Sequence, residues 1–293
     1  MIREHNVVGK MFTALIYLAI AVFALVTITP FIHLIAASLT TAEELREKSF
    51  ILFPTVISWD SYAYILSTNT IIRSMGVTIL ITVAGTLVNI AMTTLMAYPL
   101  AHKTLIGRDR IMLLVLFTMM FNGGMIPSFI LVKQLGMLNT YWAVIIPGAI
   151  NAFNLIVIKN FFQQLPDGLE ESAKMDGAND LYILARIVIP LSMPAIATFS
   201  LFYAVGHWNA FLTPILYLNN PDRWPVQVLM RQIVILSQGG VGDAADMGAD
   251  FILPPEQTLK SAVIVFANLP ILLVYPFLQK HFAKGVLLGS VKG

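Results

Sequence analysis

The seven residues Glu171-Ser172-Ala173-Lys174-Met175-Asp176-Gly177, followed after nine more by Ile187-Val188-Ile189-Pro190, stand between two long apolar runs. Carboxylates, a lysine and a hydroxyl in this pattern are not equipped to make or break bonds. They offer ion pairs and charge-assisted hydrogen bonds to another surface. A polar connector between two membrane runs is a handle for a partner in the cytoplasm to grip.

Constellations for bond chemistry are missing. No Gly-x-x-x-x-Gly-Lys-Ser/Thr run occurs, so the chain has no phosphate-cradling loop, and energy for any work must come from a partner or an ion gradient. There is no His-Glu-x-x-His pair, no Gly-x-Ser-x-Gly elbow and no histidine cluster. No catalytic residue, metal site or cofactor is expected on this chain. The absence of cysteine removes disulfides and thiolate metal sites without assigning a compartment.

The elements that position the handle follow from composition. Hydrophobic residues make up 57% of the chain and charged ones 12%, with a mean hydropathy of +0.78. That leaves too little polar surface for a soluble domain of this size. A spanning helix needs about 20 apolar residues, and uncharged runs of that order recur at 11–42, 74–101, 111–132, 134–158, 187–221 and 261–279. They are continuous rather than alternating, which favours helices over a β-barrel. The expected fold is an all-α integral membrane protein with six transmembrane helices, a single membrane domain over residues 1–293. Starting inside, eleven Lys and Arg fall in inner segments against seven outside, which places both termini in the cytoplasm. The first run is too long for a signal-peptide core and reads as an uncleaved span. The outer loops 40–72 and 219–258 either cover helix ends or present a docking face.

Local chemistry predicts the connector's form over residues 163–190. Asp167 is placed to cap a helix, with Glu170 as the capping-box carboxylate. Glu170 and Lys174 are spaced i,i+4 for a surface pair. Gly177 supplies the left-handed residue that ends the helix, after about nine residues or roughly 13 Å. Asn179 or Asp180 caps the next helix, which runs through Pro190 and Pro194 into the fifth span.

These residues resemble the signature of the inner-membrane permease subunits of ABC importers, Glu-Ala-Ala, three residues, Gly, nine residues, Ile-x-Leu-Pro. Glu171-Ser172-Ala173, Gly177 and Ile187-Val188-Ile189-Pro190 keep the spacing, with Ser for the first Ala and Ile for Leu. Leu165-Pro166-Asp167, Asp176-Gly177-Ala178, Trp208-Asn209-Ala210-Phe211-Leu212-Thr213-Pro214 and the C-terminal Gly289-Ser290-Val291-Lys292-Gly293 resemble the carbohydrate-uptake branch, of the maltose-system type. Phe121-Asn122-Gly123-Gly124-Met125-Ile126-Pro127 resembles a subgroup for oligosaccharides released from polysaccharides, such as alginate oligomers.

The resemblance implies a type I importer fold, with a coupling helix between spans four and five that docks on an ATPase through Glu170, Glu171, Ser172, Ala173, Lys174, Asp176 and Gly177. It implies a second similar permease, two ATPase subunits holding ATP and Mg, and an extracytoplasmic sugar-binding protein, in the inner membrane of a bacterium. Residues 289–293 are then a second ATPase contact, while the tail from Lys280 to Gly293 as a whole carries three lysines and suits a position near anionic lipid.

Saccharides are held by aromatic faces, amides and hydroxyls, and Asn122, Asn154, Tyr203, His207, Trp208 and Asn209 are eligible to line the path. Asn151 is eligible too. His207 either bonds between helices or lines a cavity, and His33 reads as a satisfied or an interfacial histidine. Tyr98, Asn89, Gly85 and Ala84 read as helix-packing positions. The alternatives from other classes are a six-helix channel or ion-coupled carrier without an ATPase, and a membrane scaffold. The six runs contain no Asp, Glu, Lys or Arg, which counts against ion coupling.

Overall fold

The computed structural model describes residues 7–48, 50–237 and 257–290. Among them there is no strand. The helices divide between two compact sets of residues.

The first set holds α1 (Val7–Ser38), α2 (Ala42–Glu47) and α3 (Asp60–Ser67). From Lys10 to Ile28 every residue of α1 is exposed, as suits a helix apolar on all sides. Thr27 and Thr29 turn back on their own backbone, with Thr29 Oγ1 donating to the Leu25 carbonyl at 2.7 Å, so their hydroxyls are met within the helix. The predicted run to residue 42 ends at Ser38, because Thr41 accepts from the Glu44 N–H and starts α2. His33 is satisfied locally, as expected. Its Nδ1 lies 2.9 Å from the Ile51 carbonyl oxygen and its ring stacks on Phe50 at 4.6 Å.

Glu44 organises the segment after α1. Its carboxylate accepts from Thr40 Oγ1 at 2.8 Å, Lys48 Nζ at 3.0 Å, the Thr55 hydroxyl, and the Thr55 N–H at 3.0 Å. Hydrogen bonds, from Thr55 above all and then from Thr40, hold this carboxyl well below the usual carboxylate range.

The second set takes α4 (Asn69–Ala101) from Thr70, α5 (Arg108–Met120), α6 (Met125–Gln134), α7 (Trp142–Ile145), α8 (Ala152–Phe162), α9 (Asp167–Met175), α10 (Asp180–Ile183), α11 (Ile189–Leu191), α12 (Met193–Trp208) and α13 (Leu212–Tyr217). A π-helical turn, Leu184–Val188, joins α10 to α11. Two further helices, α14 (Val226–Ser237) and α15 (Gln257–Ser290), contribute residues to both sets.

Two apolar clusters mark the ends of α4. Val77 and Ile81 pack with Val144, Ile145, Leu218, Trp224 and Val228. Ala97, Tyr98 and Leu100 pack with Leu155, Ile158, Phe162, Ile183, Val188 and Phe199. Between them α4 carries Gly85, Asn89 and Thr93 at four-residue intervals, one face of the helix.

By length and composition, Gly9–Ser38 and α4 are each long and apolar enough to cross a membrane, and so are three bent helix pairs when the two members of each are taken together. The runs read as 111–132, 134–158 and 187–221 are thus broken rather than straight. α5 and α6 meet at 117°, where Gly124 adopts φ +87° and donates its N–H to Asn122 Oδ1 at 2.8 Å. The break of 55° before α8 follows a 3-10 turn containing Pro147, and Asn151 Oδ1 then caps α8 by accepting from the Asn154 N–H at 3.1 Å. The 88° bend falls at Ser192, where Pro194 has no N–H to give to the Pro190 carbonyl.

Candidate functional site

The connector is α9 and the turn that follows it. At Gly177, φ is +85°, the Gly177 N–H donates to the Lys174 carbonyl at 3.0 Å and the Ala178 N–H to the Ala173 carbonyl at 3.0 Å. This paired closure is a Schellman turn, and the Ala173 and Ala178 side chains that flank it both pack against the core. Asn179 then caps α10, accepting from the Tyr182 N–H at 2.8 Å. Both features agree with the sequence.

The start of α9 does not. The cap position is Pro166, which has no side-chain acceptor, so no capping box forms. Glu170 turns instead toward α4, accepting from the Tyr98 hydroxyl at 3.2 Å and lying 2.6 Å from His102 Nε2. The expected Glu170–Lys174 pair is replaced by Lys174 Nζ to Asp180 at 3.0 Å. A partner on α4, reached by folding, outcompetes the weak i,i+4 surface pair.

Glu171, Ser172, Asp176 and Gly177 are exposed, with Met175 at 90% exposure and Leu181 and Tyr182 also exposed beyond the turn. The connector therefore presents a mixed apolar and acidic surface on a backbone closed at its C-terminal end.

A second site lies at the far end of α12. Tyr203 and His207, four residues apart, face the polar stripe of α4. Tyr203 Oη lies 2.8 Å from Thr93 Oγ1 and accepts from the Asn151 N–H at 3.1 Å. Asn89 Nδ2 lies 3.1 Å from His207 Nε2 and 3.5 Å from the Gly148 carbonyl oxygen. With Asn89 donating, His207 Nε2 is an acceptor. Asn89 Oδ1 is buried without a hydrogen-bond partner.

Asn89, Asn151, Tyr203 and His207 border a cavity of about 460 Å³, lined also by Asn154, Phe153 and Phe202 and by the small residues Gly206 and Ala210. No charged side chain lines it. Amides, a phenol, an imidazole and two phenyl rings around a space of this size suit a polyhydroxylated, uncharged face of a ligand.

The structure gathers Asn154, Tyr203 and His207 of the eligible residues and adds Asn89 and Asn151. His207 both bonds between helices and lines the cavity. Trp208 is buried outside the lining, and Asn209 and Asn122 are not part of it. Asn89 reads from the sequence as a helix-packing position; the signal for it is that it shares one helix face with the small or polar residues Ser74, Thr78, Gly85 and Thr93. Of the C-terminal residues, Gly289 and Ser290 lie at the end of α15, while Val291, Lys292 and Gly293 lie outside the described residues.

Residues 95–288 match the family described as binding-protein-dependent transport system inner membrane component. The chain is 60% identical over 285 residues to the polygalacturonan/rhamnogalacturonan transport system permease protein YtcP of Bacillus subtilis, covering 97% of this chain and 99% of that one. It is 53% identical over 290 residues to protein LplC of the same organism, covering 99% and 98%. A crystal structure of a bacterial ABC transporter involved in the import of the acidic polysaccharide alginate includes a similar chain, with a TM-score of 0.86 at 30% identity, covering 95% of this chain and 99% of that one.

Proposed function

The chain belongs to the family of binding-protein-dependent transport system inner membrane components, a membrane-embedded permease of a bacterial ABC importer, and we propose that it carries oligosaccharides derived from polysaccharides. The names of the similar proteins support this cargo, and the uncharged, amide-rich and aromatic cavity supplies contacts a saccharide needs. Asn89, Asn151, Asn154, Tyr203 and His207 are the side chains proposed to touch it. Any carboxylate of an acidic sugar would have to be met by a second permease chain, or by hydrogen bonds alone.

The connector carries the mechanism. The six spans of the chain would be α1, α4, the α5–α6 pair, the α7–α8 pair, α10–α12 and α15, with α9 in the cytoplasm between spans four and five and both termini inside. In this reading α9 is the coupling helix, Glu171 and its exposed neighbours dock on a separate ATPase, and the Schellman turn transmits closure to α12 as rigid-body motion. Energy then comes from ATP and Mg bound on two ATPase subunits, and cargo from an extracytoplasmic binding protein.

The experiment is gentle purification of the tagged chain from its native membrane after growth on different polysaccharides, with mass spectrometry of what accompanies it. An ATPase, a second permease and an induced binding protein are expected. A clean homo-oligomer, unchanged after crosslinking, would overturn the reading in favour of a channel or carrier.

A further inference from the structure

Building on the coupling role of α9, we propose that His102 is a positioning residue whose doubly protonated ring locks the connector to the end of α4. His102 directly follows the last residue of α4. Its Nδ1 lies 2.9 Å from the Tyr98 carbonyl oxygen and its Nε2 lies 2.6 Å from Glu170 Oε2. Both oxygens are acceptors, and Glu170 Oε2 already accepts from the Tyr98 hydroxyl at 3.2 Å. A neutral imidazole has one N–H and would set a lone pair against one of these oxygens; the imidazolium satisfies both. The Tyr98 ring meets the His102 ring edge-on at 4.8 Å, which fixes its plane.

The surrounding charges leave His102 as the cation for Glu170. On α9, Lys174 is engaged by Asp180 of α10 at 3.0 Å. Beyond α4, Arg108 donates to the Leu100 carbonyl at 2.9 Å and sits 3.5 Å from Asp109. Lys103 and Glu171 border the same cleft as His102 and Glu170 without an ion pair between them among the described residues. The His102 and Glu170 side chains are 30% and 21% exposed, open enough to exchange a proton with water and covered enough for the contact to hold.

Loss of one proton therefore converts a charge-assisted clasp into a contact with an unsatisfied pair. The N-terminal half of α9, which has no side-chain cap, is then held to α4 through Glu170 by the longer Tyr98 hydrogen bond alone, and the connector yields instead of transmitting motion. Histidine is the side chain that changes charge near physiological pH.

The test uses the co-purified assembly in liposomes, with a labelled oligosaccharide digest of polygalacturonan as probe and sugar imported per ATP hydrolysed as readout. From about pH 6 to about pH 9 the wild-type ratio should fall about fivefold, which is about 1 kcal/mol of differential contact. His102→Gln and Glu170→Gln should give a low ratio with no pH slope. A flat wild-type profile, or a wild-type slope retained in either variant, overturns the proposal. Gly177→Val in the same preparation separates the two ideas. Wild-type coupling there would sink the coupling role of α9 itself, whereas uncoupling there beside an unaltered His102→Gln profile rejects only the histidine.

Discussion

Gly85 and His207 share one space: a Cβ added at residue 85 would sit 2.5 Å from His207 Nε2. The glycine is on α4 for close approach, and what approaches is a ring that lines the cavity. Small residues serve this purpose in membrane helices generally; here the neighbour is a polar side chain that bonds to Asn89 of the same helix. Gly85→Ala should push the imidazole off Asn89 and cost about 1–3 kcal/mol of stability, the range for overpacking. A thermal melt of the purified assembly and the uptake KM should both shift. An unchanged KM would show that His207 does not touch cargo.

Tyr203→Phe removes one oxygen that serves two partners, Thr93 Oγ1 at 2.8 Å and the Asn151 N–H at 3.1 Å. Thr93 is fully buried, so its hydroxyl loses its partner. The expected cost is about 1–3 kcal/mol, the penalty for stranding a buried polar group. Because Asn151 also caps α8, the loss should loosen the cavity wall. The double variant Thr93→Val/Tyr203→Phe should recover part of the stability, since the buried Thr93 hydroxyl is then gone and only the Asn151 N–H is left without its acceptor. Thermal melts of the single and double variants decide this.

Where local chemistry settles a feature, the sequence was readable. Gly177 and Asn179 sit where their backbone preferences put them. Long apolar runs announced two helices and three bent helix pairs long and apolar enough to cross a membrane, while the run at 261–279 falls in a shorter apolar stretch among the described residues; apolarity hid the bends that Gly123-Gly124, Pro147, Pro190 and Pro194 introduce. Glu170 was misassigned because its partner is 68 residues away in sequence. Residue type drew attention to Trp208 and Asn209, yet successive helix positions point about 100° apart, so Tyr203 and His207 share a face that Trp208 leaves. Asn89 looked like packing until the helix it faces was known to bring an imidazole.

Replacing Gly177 tests the connector as a mechanical part. At φ +85° nothing lies within 4 Å of an added Cβ, so the obstacle to a side chain there is the backbone conformation rather than crowding. A β-branched residue in the left-handed region costs about 1–3 kcal/mol, enough to open the turn while the apolar core of the chain holds. Gly177→Val, and equally Glu171→Lys with its reversed charge on the exposed face, should leave the protein inserted and lower uptake per ATP hydrolysed. Wild-type uptake in both would remove the coupling role from α9.

Glu44 gives a pH dependence whose sign can be worked out. Its carboxyl is held below the ordinary glutamate value, first by the Thr55 hydroxyl and then by Thr40, with Lys48 adding a weaker contribution. A depressed folded-state value stabilises the ionised form. The contribution is therefore fully present above the unfolded value of about 4.3 and is lost only as the pH falls below it through the depressed value. The Thr55 N–H, which donates to this carboxylate at 3.0 Å, reports on it directly. In wild-type protein the protection of that amide against hydrogen exchange should persist at about pH 4.5, close to the point where an ordinary glutamate is half protonated. Glu44→Gln should lose several-fold protection at neutral pH, because one carboxylate oxygen becomes an NH2 that cannot accept from Thr40 or Thr55. Wild-type protection that vanishes between neutral pH and about 5 would show that the carboxylate is not the hub of this segment.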